Sequence, residues 1–299
     1  MRVVVLGGTG LIGNRLVRQL SDASDVFAST RTSKDQIPFL DQILSKEQWI
    51  FDFDATSEEK LRIVLSDLRP NVVVNCLGVT KHQITSTDFE KAIILNSILP
   101  HRLSDLASEY NFKLIHLSTD CVFSGNSGNY VESSIPDPTD FYGRSKVLGE
   151  LNNSRDLTIR TSFVGNEIKS FTNFFEWIQR NKNRDVIGYS NAIYSGVTTE
   201  VLSEVIQKLI FNFSALTGLW HFSSEPISKY KLIRDLNDVL NLGIKLSLDR
   251  DFVCDRSLNS SALFKMTGIE APSWATMLER YVDDHDWYES IRGNRAAIK

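Results

Sequence analysis

A parallel β-sheet wound on both faces by helices is the fold class that this sequence predicts, on three observations. Apolar, β-branched runs recur at Arg2-Val3-Val4-Val5-Leu6, Val72-Val73-Val74-Asn75-Cys76 and Lys113-Leu114-Ile115-His116-Leu117, the pattern of strands buried on both faces. Helical periodicity fills the intervals, so strands and helices alternate over the first 160 residues. The first run leads straight into Gly7-Gly8-Thr9-Gly10-Leu11-Ile12-Gly13 and then into Leu16, Val17 and Leu20 at helical spacing.

Composition sets the bounds. The 299 residues are 42% hydrophobic, enough for a large core or two modest ones. A formal charge of −4 gives no support for a nucleic-acid or anionic-membrane partner. No apolar run approaches the ~18 residues of a membrane helix. The chain enters a strand at Val3, which leaves no room for a signal peptide, so the cytoplasm is expected. Cys76, Cys121 and Cys254 are widely spaced and the five histidines lack ligand spacing, so neither disulfide nor metal site is expected.

The glycine turn reads as a dinucleotide site. Gly7, Gly10 and Gly13 permit a tight turn and close approach to a pyrophosphate, and Leu11 and Ile12 open the helix whose N-terminus would face the phosphates. The spacing is G-x-x-G-x-x-G. The next strand, Asp25–Thr30, is followed by Arg31, and no Asp or Glu occupies 29–34. An arginine there suits the 2′-phosphate of NADP(H), with NAD(H) as the alternative. A helix is expected around Gln36–Leu44 and a strand at Gln48–Phe51; Asp52 and Asp54 then either cap the helix Ser57–Leu68 or face the adenine. The strand Val72–Cys76 ends in Leu77-Gly78, a further cofactor contact. A helical pattern over Thr87–Tyr110 contains Asn96, a candidate brace for the site, and Pro100, expected to kink or divide it.

The strand 113–117 delivers Ser118-Thr119-Asp120 at its carboxyl end, where open parallel sheets bind ligands. Downstream, Tyr142-Gly143-Arg144-Ser145-Lys146 opens a helix, which places Tyr142 and Lys146 on one face, roughly 6 Å apart along the axis. An ammonium at that distance is expected to lower the phenol's pKa toward a useful range. Thr119 adds a hydroxyl able to hold a carbonyl oxygen. Thr119, Tyr142 and Lys146 are therefore the candidate catalytic residues, and Tyr142 and Lys146 are also cofactor contacts.

Residues 1–165 are expected to form a Rossmann-type nucleotide-binding domain with a doubly wound parallel sheet. Residues 166–299 are expected to form mainly a smaller substrate lobe, with segments at about 190–222 returning to the sheet. The aromatic stretch Phe171–Gln179 reads as core packing, Thr199–Phe211 as an amphipathic helix, Leu219–Phe222 as a strand, Ser228–Leu240 as a helix capped by Ser228, and Trp274–Trp287 as the last helix.

These motifs, with Val122-Phe123, Gly149-Glu150 and Arg160-Thr161-Ser162, resemble the extended short-chain dehydrogenase/reductases and, within them, the dTDP-4-dehydrorhamnose reductases and related sugar-nucleotide reductases. The resemblance implies NADPH-dependent reduction of a 4-keto sugar on a nucleoside diphosphate, in nucleotide-sugar or surface-polysaccharide biosynthesis. It implies that Tyr142 is the acid, that Lys146 binds the nicotinamide ribose, that Thr119 contacts the keto oxygen and that Asp54 lies near the adenine. Cys121 stands where the family usually has tyrosine and Phe163 where it has tryptophan, both at expected sugar contacts. The diphosphate needs a cation, for which Arg256 is the candidate. A homodimer is compatible with the family. Two alternatives stay open: an epimerase, which uses the same Tyr and Lys, and a regulatory subunit resembling the β subunit of methionine adenosyltransferase. A dehydratase would need Glu where Cys121 stands.

Overall fold

The computed structural model describes residues 1–34, 38–81 and 89–293. In chain order the elements are β1 (Arg2–Leu6), α1 (Leu11–Ser21), β2 (Asp25–Ser29), β3 (Trp49–Ile50), α2 (Glu58–Leu68), β4 (Val72–Asn75), α3 (Phe89–Ile93), α4 (Leu99–Tyr110), β5 (Lys113–Thr119), α5 (Phe141–Leu148) and β6 (Leu157–Thr161). The second part holds β7 (Phe163–Val164), α6 (Phe174–Arg180), β8 (Asp185–Tyr194), β9 (Val197–Thr198), α7 (Thr199–Asn212), β10 (Gly218–His221), β11 (Ile227–Ser228), α8 (Lys229–Leu240), β12 (Lys245–Asp255), α9 (Ser261–Thr267) and α10 (Trp274–Gly293).

The main sheet is a seven-stranded parallel Rossmann sheet in the order β10-β6-β5-β4-β1-β2-β3. Strand alternation sorts its side chains between two layers. Val3, Val5, Val72 and Val74 pack with α1 and α7, while Val4, Leu6 and Val73 pack with α2 and α4. Both faces are therefore covered, and the strands are apolar throughout. The small sheet, β11-β8-β12, carries the distal lobe.

Several expected elements take different form. Residues 36 and 37 of the helix expected around Gln36–Leu44 lie outside the described residues, and Pro38–Gln42 forms a 3₁₀ turn. The Leu40 carbonyl accepts the N–H groups of Ile43 and Leu44 at 2.9 and 3.0 Å, and the indole of Trp49 pins the turn by donating to the carbonyls of Leu40 and Leu44, at 3.3 and 3.2 Å. The strand expected at Gln48–Phe51 shrinks to two residues. The long helix keeps its course through Pro100, but residues Ile94–Ile98 form a π-turn. Pro100 has no N–H to bond the carbonyl of Asn96, and Gly149 packs against that carbonyl so closely that a Cβ would collide with it. The return to the main sheet runs through α7 and β10, since β8, up to Tyr194, belongs to the small sheet.

The last helix fastens the first. Asp284 of α10 pairs with Arg18 at 2.9 Å and with Arg15 at 3.6 Å, and the Tyr288 hydroxyl donates to Asn14. The Arg18 guanidinium lies 3.5 Å from the centre of the Trp287 ring. Among the described residues no helix is long and apolar enough to cross a membrane.

Candidate active site

A cleft of about 460 Å³ opens along the carboxyl edge of the main sheet, between the β1–α1 turn and the segment 161–174. Gly7 begins the turn at φ +88°, a conformation that a side chain strains, and a Cβ there would meet Leu77 at 2.9 Å. A Cβ on Gly13 would collide with the Gly7 carbonyl, so only glycine lets α1 seat on the turn. Gly10, Leu11 and Ile12 line the cleft at the N-terminus of α1, whose first turn carries no acidic residue. The turn is hooked to β2: Gly7 N–H donates to Ser29 Oγ at 3.1 Å, and the hydroxyls of Thr9 and Thr30 lie 3.1 Å apart. Oriented N–H groups of a helix start, with no carboxylate nearby, suit an anion. Leu77, Gly78 and Arg31 also line the cleft. Asp54 does not. Its carboxylate accepts Thr56 N–H and hydroxyl at 3.0 and 2.8 Å, bonds that hold it below the usual range, and Phe53 is the neighbour that faces inward.

Of the three candidate catalytic residues, Thr119 and Tyr142 line the cleft, whereas Lys146 is buried and not part of the lining. β5 ends in Thr119, whose hydroxyl donates to Asp120 Oδ1 at 3.1 Å and accepts from Cys121 N–H at 3.2 Å. Asp140 caps α5 by accepting Gly143 N–H at 2.8 Å, which sets Tyr142 in the first turn. Gly143 packs so tightly on the Cys121 carbonyl that a Cβ would not fit. With Thr119, Tyr142 lines the wall of the cleft. One turn on, buried Lys146 donates to the Leu117 carbonyl at 2.7 Å. Asn96 braces the assembly directly: it pairs with both backbone groups of Val79, at 2.9 and 3.0 Å, and donates to Ser145 Oγ at 3.0 Å.

The electrostatics depart from expectation at Tyr142. Burial, followed by the neighbouring Cys121, pushes its phenol above the ordinary value, while the neighbouring Thr119 acts against this. The expected lowering by Lys146 is not found, because that ammonium is turned to Leu117 and burial outweighs it. A phenol so placed holds its proton at neutral pH, as a proton donor must. Burial brings Lys146 down to about 8, opposed by Glu150.

At the other end of the cleft stand Cys121, Phe163 and Phe174. Burial pushes the Cys121 thiol up to about 12. Arg256 lies outside the lining: its Nε donates to the Phe123 carbonyl at 2.9 Å and its Nη1 lies 3.6 Å from Cys121 Sγ. Sequence reasoning passed over Lys229, whose Nζ lies 4.0 Å from the Phe174 ring centre and 3.8 Å from that of Tyr194. Its signal was its position just after the helix cap Ser228. Glu167, Lys169 and Asn173, likewise unread, line the cleft from a loop without periodicity.

The family model described as the RmlD substrate binding domain matches residues 1–246. A dTDP-4-dehydrorhamnose reductase from Aggregatibacter actinomycetemcomitans is 27% identical over 236 residues, 75% of this chain and 74% of that protein. The methionine adenosyltransferase 2 subunit beta of Xenopus tropicalis is 23% identical over 253 residues, 81% of this chain and 72% of that one. The crystal structure of dTDP-4-dehydrorhamnose reductase from Bacillus anthracis in complex with NADP superposes with a TM-score of 0.77 at 23% identity, covering 95% of this chain and 99% of its own, and shares the fold. With a match spanning both the glycine turn and the Thr119–Tyr142–Lys146 cluster, the chain belongs to the RmlD substrate binding domain family.

Proposed function

We propose that the protein is an NADPH-dependent reductase of a nucleoside-diphosphate-linked 4-keto sugar. The observation that carries this reading is that Thr119 and Tyr142 line one cleft with the glycine turn, with Lys146 one helical turn beyond Tyr142 on α5. The reductase from Aggregatibacter supports it, as does the NADP complex of the Bacillus protein. The turn fits a dinucleotide: its glycines stand where side chains would collide, and the α1 N-terminus with Leu11 and Ile12 would receive the pyrophosphate. Arg31 would meet the 2′-phosphate, and Lys146 the nicotinamide ribose.

The bound nicotinamide supplies the hydride for the keto carbon. Thr119 holds the keto oxygen, and Tyr142 gives its proton to that oxygen as negative charge develops there. Lys146, tied to the Leu117 carbonyl, holds the Tyr142 helix against β5, and the phenolate regains its proton from solvent. Acid catalysis of this kind is worth roughly 10²–10⁴ in rate, with positioning supplying much of the rest. Cys121 and Phe163 would contact the sugar, and Arg256, beside Cys121, the diphosphate. The test is NADPH oxidation over a panel of nucleotide-linked 4-keto sugars. Turnover with one of them, lost in Tyr142→Phe while NADPH binding stays, supports the reading; undiminished turnover in that variant removes Tyr142 from the mechanism.

A second reading is favoured by the Xenopus relative, which matches across 81% of this chain. In it the protein is a regulatory partner of a methionine adenosyltransferase. Capture of that enzyme, together with no turnover of any keto sugar, would select it.

A further inference from the structure

The loop between β7 and α6 crosses the mouth of the cleft opposite the glycine turn, and it is built to stay there. The Glu167 carboxylate accepts the N–H groups of Thr172 and Asn173 at 3.1 and 3.0 Å. Arg292 of α10 donates to the Glu167 carbonyl at 2.7 Å, and its guanidinium lies 4.9 Å from the centre of the Phe171 ring. Ser170 and Phe171 hold left-handed φ of 76° and 53°, unusual for residues with side chains, which such tethers must maintain. Lys169 stands immediately before them. Its ammonium reaches across to Thr32 Oγ1 at 3.3 Å, one residue beyond Arg31. Thr32 N–H in turn bonds Thr30 Oγ1 at 3.2 Å, and Thr30 meets Thr9 of the turn itself.

Two cations from distant parts of the chain, Arg31 and Lys169, thus flank one stretch of the cleft lining. Of the nearby carboxylates, Asp54 is engaged by Thr56, and Glu167 by Thr172 and Asn173. We propose that Lys169 is a specificity-determining residue that, with Arg31, grips a phosphomonoester on the adenosine ribose and so selects the phosphorylated dinucleotide. The proposal rests on the cofactor reading given above and deepens it. A lone arginine tells the two dinucleotides apart by one charge contact; a second cation from the opposite lip adds another. Thr32 holds the ammonium in place.

Titrations of the whole protein with NADPH, NADH, 2′-phospho-ADP-ribose and ADP-ribose, read by fluorescence or calorimetry, test this without any sugar substrate. Lys169→Met should weaken both phosphorylated ligands about tenfold or more, the loss expected of one charge-assisted hydrogen bond, and leave the other two within about twofold. Lys169→Arg should keep most of the preference, and Thr32→Val, which keeps the charge but removes its anchor, should lower the preference by less than Lys169→Met does. Equal losses for all four ligands, or an unchanged ratio, would make Lys169 a loop tether and overturn the proposal. Wild-type protein that binds both pairs equally would overturn it as well. Wild-type protein that binds none of the four would fail the cofactor reading itself and take this inference with it.

Discussion

The ammonium nitrogen of Lys146 lies 2.7 Å from the carbonyl oxygen of Leu117, tying the Tyr142 helix to the strand that ends in Thr119. The bond draws a charge into the interior, and stability at alkaline pH should record it. Lys146 and Lys229 are each lowered to about 8 by burial, below the unfolded value near 10.4. Between those values the unfolded chain holds protons that the folded chain has released, so each lysine makes stability rise with pH across that window. Lys146→Met should remove one share of the rise, on the order of a few kcal/mol. Urea midpoints of wild type and variant at about pH 7, 8.5 and 10 check it; parallel curves would refute it.

Beneath the site, the Glu150 carboxylate binds Arg160 through two contacts of 2.7 Å and accepts the Ser118 hydroxyl at 2.6 Å. Both ionic side chains are almost wholly buried. Glu150→Gln strands the guanidinium and should cost about 3–5 kcal/mol, whereas an apolar replacement of both partners should recover much of it. The same change removes the charge that supports the Lys146 ammonium. The signature beyond stability is therefore a lysine that titrates lower still, readable by NMR.

His221 should govern acid stability. Its Nδ1 lies 3.0 Å from the Tyr130 carbonyl and its Nε2 3.3 Å from Arg160, an arrangement for the neutral ring. Burial and then Arg160 bring its pKa down to about 4. The unfolded ring takes a proton near 6.5 and the folded one does not, so stability falls as pH drops from about 6.5 to 4. His221→Gln should flatten that fall in denaturant titrations; His116 and His285, both lowered by burial, contribute in the same direction.

Gly13→Ala should push α1 off the turn, since its methyl would meet the Gly7 carbonyl. A stability loss of about 1–3 kcal/mol is expected, with a larger loss of dinucleotide affinity. Gly10→Ala meets that carbonyl only at 3.2 Å and should be milder in stability, which calorimetry of the two variants would compare.

The doubly wound core was legible because its strands are apolar on both faces and its turn residues are glycines that nothing larger can replace. The cluster of Thr119, Tyr142 and Lys146 was legible because one strand end and one helical turn suffice to place it. Long-range features were not. β12 is an edge strand whose charged residues, such as Asp249 and Arg250, hide any alternation, and Gly188 and Asn191 interrupt β8. The direction of the Tyr142 shift depends on burial and on Cys121, and helical spacing carries neither. Lys169 meets Thr32 across 137 positions of chain, a separation that no local pattern encodes.

The clasp of α10 upon α1 has a consequence for biogenesis. The helix that would receive the pyrophosphate emerges from the ribosome early, but the Asp284 and Tyr288 that steady it are translated some 270 residues later. Nascent chains halted before that point should fail to retain dinucleotide, and ligand capture should begin only once the clasp has emerged from the exit tunnel.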